Sequence, residues 1–297
     1  MSTPLRPLPE DSFETLTPTP TAASVAMNPD NPPWGIFAAA GFCLLAFVLM
    51  AVVQAIMLLA YAVRRGVPLT PQAIGEFGTK DLSAIFVEVV SIIPAHLLTL
   101  GLAWALVTRL GKYPFLETLG WKPDAVLTFW RCVVLSVVLW IAGIVIVQLT
   151  GNPETALDRL ISSSRAAALA TAFAATFTAP LVEEIIFRGL LYSALARLTG
   201  TIWALTVTFL IFAAIHVPQY WPNFGVIGTI LLLSFVLTAI RARTGKLLPC
   251  FLVHLFFNGI QSFLIVLNPY LERLTPPKSP APGALLQAFA LLARLHS

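Results

Sequence analysis

The sequence has little charge. Lys, Arg, Asp and Glu make up 11% of its 297 residues, against about 25% in ordinary soluble domains. That is too few to coat a soluble globule of this length. An ordinary cytosolic enzyme and a disordered regulator are thereby excluded. The 18 basic residues exceed the 14 acidic ones and give a net charge of +4. They are scattered and form no basic patch, so a nucleic-acid partner is excluded too. Cysteine is scarce as well. Cys43, Cys132 and Cys250 stand singly in apolar runs, without CxxC or Cys/His spacing. Disulfides and cysteine-bound zinc are not expected, and the three should behave as small buried or lipid-facing hydrophobes. There is no H-E-x-x-H helix. There is no internal repeat of the kind that marks an inverted-repeat transporter. The alternation of a membrane β-barrel is also missing.

What is present is long apolar sequence: 58% of residues are hydrophobic, with a mean hydropathy of +0.85. A membrane-spanning helix needs about 20 mostly apolar residues. Seven stretches qualify: Trp34 to Val63, Leu82 to Val107, Phe129 to Leu149, Ala166 to Ala196 across Pro180, Thr201 to Val217, Phe224 to Ile240, and Leu247 to Leu267. Pro218, the Arg241/Arg243/Gly245 group and Asn268-Pro269 are expected to end the last three. In lipid only a helix can satisfy its own backbone in such a span. The expected fold is all-α, a polytopic transmembrane bundle of about seven to eight spans, in a multi-pass protein of the cell membrane. Residues 1–33 are rich in Pro and Thr and read as a disordered tail. They lack the basic start and apolar core of a signal peptide. Residues 34–150 form the N-terminal transmembrane helices and 165–268 a second helical core. Residues 269–297 form a tail whose apolar part, Gly283 to Leu295, is too short to span. Lys and Arg divide almost evenly between the two sides, so the positive-inside rule does not orient the chain.

An ionisable residue inside a span costs at least about 2.5 kcal/mol, so such residues are functional candidates by default. Most lie between residues 183 and 258. Glu183, Glu184 and Arg188 form the first group. Glu184 and Arg188 are four apart and can pair along one face. Glu183 lies about 100° around the helix and is left free. Pro180 should disturb the helix just before them. Phe212 and His216 are one turn apart on the next span. His254 and Asn258 are one turn apart on a later one. Each group alone also reads as structural: a solvated helix end, a lone histidine, an interhelical hydrogen-bonding pair. Together, each is the simplest partner for the others in lipid. A Glu and a His can take a proton from water. A His and an Asn can donate to an oxyanion. That set suits amide hydrolysis in a membrane cavity.

In order and spacing, E-E-x-x-x-R, F-x-x-x-H and H-x-x-x-N resemble the signature of the CPBP family, the CAAX-processing proteases and bacteriocin-processing or immunity proteins. Arg243-Thr244-Gly245 is similar to the family's lead-in to the third motif. The resemblance covers about residues 165–268. It implies that these residues are the catalytic helical core of a bundle around a water-accessible intramembrane cavity, in an intramembrane endopeptidase acting on a membrane-delivered or lipidated peptide or protein. Glu183 would be the general base, assisted by His216. His254 and Asn258 would form the oxyanion hole. Glu184 and Arg188 would hold the helix, and Phe212 would wall the site. The family has been described both as metal-dependent and as glutamate-type. The metal-independent mechanism is favoured here and no cofactor is expected. The alternative is zinc held by Glu183, His216 and His254. A proton-coupled transporter and a non-catalytic scaffold or immunity protein remain as competing functions. Glu88 and His96 read as interhelical hydrogen-bonding groups or as lining the cavity mouth. Trp34, Trp104, Trp130, Trp140 and Trp203 read as interface anchors.

Overall fold

A computed structural model describes residues 31–274. The expectations for residues 1–30 and for Gly283 to Leu295 lie outside the described residues. The chain runs through α1 (Ile36–Arg64), α2 (Pro71–Lys80), α3 (Leu82–Thr108), α4 (Phe115–Thr118), α5 (Phe129–Thr150) and α6 (Ala156–Ser163). Next is a continuous 35-residue helix over Arg165–Thr199. It consists of α7 (Arg165–Phe173), a π-helical segment (Ala174–Thr178), α8 (Ala179–Glu184), a second π-helical segment (Ile185–Leu191) and α9 (Tyr192–Thr199). Then come α10 (Thr201–Tyr220), α11 (Phe224–Thr244) and α12 (Leu248–Leu274). Seven of these helices are long and apolar enough to cross a membrane, and no strand occurs among the described residues. The protein is an all-α, multi-pass membrane bundle.

Two of the three expected stops are not stops. α10 continues past Pro218 to Tyr220, because a proline in the last turn costs only one backbone bond before the helix ends anyway. α12 continues through Pro269 to Leu274. α11 does end within its expected group, at Thr244 with Gly245 as a left-handed cap, after running through Arg241. Arg241 is buried, donates to Ser193 Oγ at 2.9 Å and lies over the Tyr192 ring. It belongs to the bundle interior rather than to an interface. Two short helices escape a search for long apolar runs. α2 starts at Thr70, whose side chain accepts from the Ala73 amide, with Pro71 in its first turn. α6 starts at a capping box of Thr155 and Asp158. Among the expected anchors, Trp104, Trp130 and Trp203 are exposed at the span ends. Trp34 is not: it is buried, and its indole donates to Leu190 O at 3.1 Å. Arg197 holds the carbonyls of Pro32 and Trp34, and Arg109 that of Pro33. This strap seats the start of α1 against the second π-helical segment. Cys132 and Cys250 are buried and Cys43 half-buried; all three are free.

The interior divides into two apolar clusters. One gathers Trp34, Phe42, Val182, Phe187, Leu190 and Phe212. The other gathers Leu139, Trp140, Ile144, Leu237, Val253 and Phe257 from α5, α11 and α12. α5 and α11 approach closely through small residues, as membrane helices do where lipid supplies no hydrophobic drive. A Cβ on Gly225 would lie 2.3 Å from Thr150 Oγ1 and 2.7 Å from Val147 Cα, and one on Gly143 would lie 2.5 Å from the Thr229 methyl. Gly225→Ala is therefore expected to lower stability by at least about 1 kcal/mol, the low end for overpacking. Unfolding in detergent checks this. Gly101→Ala, where nothing lies within 4 Å, should stay within about 0.5 kcal/mol of the parent.

Candidate active site

The paired carboxylates sit on α8, the one α-helical stretch between two π-helical segments. Each π segment rotates the helix beyond it relative to the helix before it, and such bulges recur at functional sites. Adjacent positions on α8 then meet opposite surroundings. Glu184 is fully buried, whereas the Glu183 side chain keeps 23% of its exposure and lines a cavity.

Glu184 Oε1 accepts from Arg188 Nη1 at 3.0 Å, and both side chains are wholly withdrawn from solvent. Arg188 Nη2 donates to Ser234 Oγ at 2.8 Å and Ser234 O at 3.1 Å, and Nε to Thr238 Oγ1 at 3.3 Å. Its guanidinium lies 4.4 Å from the centre of the Phe212 ring. Phe212 is 1% exposed and stacks edge-on to Phe187 as well. It packs the guanidinium more than it walls the cavity. Ser234 and Thr238 are hydrogen-bond partners of Arg188 that charge-based reading of the sequence misses. Their signal is two hydroxyls four apart on one face of an apolar span.

His216 Nδ1 lies 2.7 Å from Phe212 O. A carbonyl only accepts, so Nδ1 donates to it and Nε2 is the ring nitrogen left to face Glu183. That Nε2 is 4.0 Å from Glu183 Oε1. His254 Nδ1 donates to Glu184 Oε1 at 2.8 Å, and its Nε2 is 3.7 Å from Glu183 Oε2. Each Glu183 oxygen thus faces one imidazole, too far for a direct hydrogen bond and close enough for a bridging water. Asn258 Nδ2 donates to Ala175 O at 2.9 Å. Glu183, Phe212, His216, His254 and Asn258 all line one cavity of about 160 Å³. At ~15 Å³ of such volume per water, it has room for about ten. Tyr220, Gln219 and Gln261 add polar lining that the motifs do not include, and Trp140, Gly143, Ile144 and Val147 of α5 form an apolar wall.

Glu88 and His96 do not line this cavity. His96 Nδ1 lies 2.8 Å from Thr178 Oγ1, an interhelical hydrogen bond onto the first π-helical segment. The Glu88 carboxylate lies against Gly78 of α2, where an added Cβ would come within 2.8 Å of it. Among the described residues, no three His, Cys, Asp or Glu side chains are arranged to hold a metal ion. Outside the spans, Lys246 reaches Asp124 at 3.0 Å and ties the start of α12 to the loop before α5. The Leu127 amide, with Lys246 and the Val126 amide, holds the Asp124 carboxyl below the usual carboxylate range.

Residues 165–260 match the family model described as Rce1-like, type II CAAX prenyl endopeptidase Rce1-like. The match covers about a third of the chain, from the start of α7 into α12. No curated protein and no solved structure matches. The matched segment contains all three motif groups, and its family is that of intramembrane CAAX-type endopeptidases. The chain is a multi-pass membrane protein whose residues 165–260 are similar to the Rce1-like type II CAAX prenyl endopeptidases, consistent with a CPBP family protease.

Proposed function

We propose that this protein hydrolyses a peptide bond of a membrane-delivered or lipidated substrate, of CAAX or leader-peptide type, with water activated by Glu183 and His216. The observation that carries this reading is the position of Glu183. It is the one carboxylate of the pair that reaches the cavity, and it lies between two imidazole Nε2 atoms at 4.0 and 3.7 Å. A water there can pass a proton to Glu183 while His216 Nε2 accepts its second hydrogen bond. The water oxygen adds to the scissile carbonyl carbon, and the carbonyl electron pair moves onto oxygen. Asn258 donates to that oxyanion from Nδ2. His254 donates from Nε2 as the imidazolium, since its Nδ1 proton is already given to Glu184. The intermediate collapses as the proton on Glu183 passes to the leaving nitrogen. The carbon–nitrogen bond breaks, and the products are a carboxylic acid and an amine, which become a carboxylate and an ammonium when the acid's proton passes to the amine through water.

Glu184 and Arg188 touch neither water nor substrate in this scheme. They hold His254 and fix the rotation of α8. The α5 wall receives the apolar part of the substrate. The reading is metal-independent, supported by Asn258 one turn after His254, an amide that suits an oxyanion donor better than a zinc ligand.

Cleavage of a fluorogenic farnesylated CAAX peptide by the full chain in liposomes tests the proposal. Glu183→Ala should lower kcat/KM by about 10²–10⁴, the usual worth of a positioned acid or base, with the folded yield unchanged. Cleavage at the parental rate would remove Glu183 from its role. Activity should survive EDTA and 1,10-phenanthroline. Loss that zinc restores would instead assign Glu183, His216 and His254 as ligands. Arg188→Leu should cost about 3–5 kcal/mol of stability, because it strands the buried Glu184 charge. A detergent-unfolding midpoint close to the parent's would show that the pair is not what holds the helix.

A further inference from the structure

The first π-helical segment ends in a backbone arrangement that involves Asn258. Within it, amides bond five residues back: the Ala179 N–H donates to Ala174 O. In an α-helix that N–H would have gone to Ala175 O. In continued π geometry the next donor for Ala175 O would be the N–H of residue 180. Residue 180 is proline and has none. Ala175 O is thus stripped of both helical donors by two features that meet at one turn. Asn258 Nδ2 supplies the missing bond from α12 at 2.9 Å.

That bond has a consequence for the amide. The oxygen and the NH₂ of a carboxamide are nearly the same size, so packing alone does not choose between its two orientations. A carbonyl without another donor does choose. With Nδ2 toward Ala175 O a hydrogen bond forms, and with Oδ1 there two acceptors face each other. The chosen orientation leaves the second N–H of Nδ2 for the cavity that Asn258 lines. An N–H at residue 180 would bring Ala175 O back into the helix's own bonding, and the acceptor would no longer be reserved.

We infer that Pro180 is a positioning residue for the oxyanion donor: by lacking an N–H at the end of the π-helical segment, it reserves Ala175 O for Asn258 and sets the orientation of that amide. The inference rests on the proposed role of Asn258 in hydrolysis.

The test is a double-mutant cycle on the full chain in liposomes with the farnesylated CAAX peptide. Pro180→Ala should lower kcat about ten-fold and leave KM within about two-fold, since a donor to the transition state is affected rather than substrate binding. Asn258→Ala should lower kcat by about 10²–10³. In the Asn258→Ala background, Pro180→Ala should change kcat less than about two-fold, because the group it acts through is gone. Lactic acid at position 180, which has neither the ring nor an N–H, should keep kcat within about three-fold of the parent. Equal loss from Pro180→Ala in both backgrounds would overturn the inference, as would parental kcat in Pro180→Ala. So would loss with lactic acid as large as with alanine. If Pro180→Ala does not fold, the lactic acid chain decides alone: retained kcat supports the missing N–H, and lost kcat overturns it. Undiminished cleavage by Asn258→Ala would fail earlier, at the oxyanion reading itself.

Discussion

A carboxylate and a guanidinium four residues apart, both wholly out of solvent, set the terms for this bundle. Taking such a pair from water costs several kcal/mol per ion, and mutual attraction repays it only when the remaining donors and acceptors are also occupied. Arg188 and Glu184 largely meet that condition by drawing on other helices: all three guanidinium nitrogens and Glu184 Oε1 have partners, and Glu184 Oε2 alone has none among the described residues. Ser234 and Thr238 come from α11, the Phe212 ring from α10, and His254 from α12. Tolerating one ion pair thus gathers three spans around α8. His216 lies one turn beyond Phe212, and Asn258 one turn beyond His254. Both reach the cavity because their neighbours are held by the pair.

The same scarcity of charge separates the two glutamates. They differ by one position, about 100° of helix rotation, and that suffices to give them opposite environments. Glu184 is neutralised by Arg188 and holds an imidazole. Glu183 has no guanidinium beside it and opens onto a space large enough for water and substrate. Under the proposed function, these unlike surroundings give one site a structural carboxylate and a proton acceptor from the same residue type.

Much of this is legible in the sequence. The span limits hold to within a few residues, and the pairs Glu184/Arg188, Phe212/His216 and His254/Asn258 can be read from helical spacing alone. The misreadings have a common cause. Composition does not say whether a polar or aromatic residue near a span end faces the interface or the interior. Arg241 and Trp34 face inward, and so does Trp140, which is buried at the cavity wall. Ser234 and Thr238 obey the same four-residue rule as the motifs but carry no charge to mark them. The π-helical segments are not legible at all. Pro180 announces a disturbance, but whether a helix kinks, breaks or shifts to i→i+5 bonding depends on which neighbours can satisfy the freed carbonyls. Here that neighbour, Asn258, is 83 residues away.

The cavity divides its labour along the chain. Its polar side comes from residues 183–261, almost wholly within the stretch that matches the Rce1-like family. Much of its apolar side comes from Trp140, Gly143, Ile144 and Val147 of α5, outside that stretch. Gly143 and Gly225 let α5 and α11 approach until a single Cβ would clash, so the depth of that wall is set by the absence of side chains. Filling or widening this crossing would leave the polar groups untouched and change only the space beside them. Under the proposed function, the reacting groups and the surface that selects an apolar substrate can therefore vary independently. The matched stretch would carry the bond-breaking machinery, and the α5 wall the choice of what it cleaves.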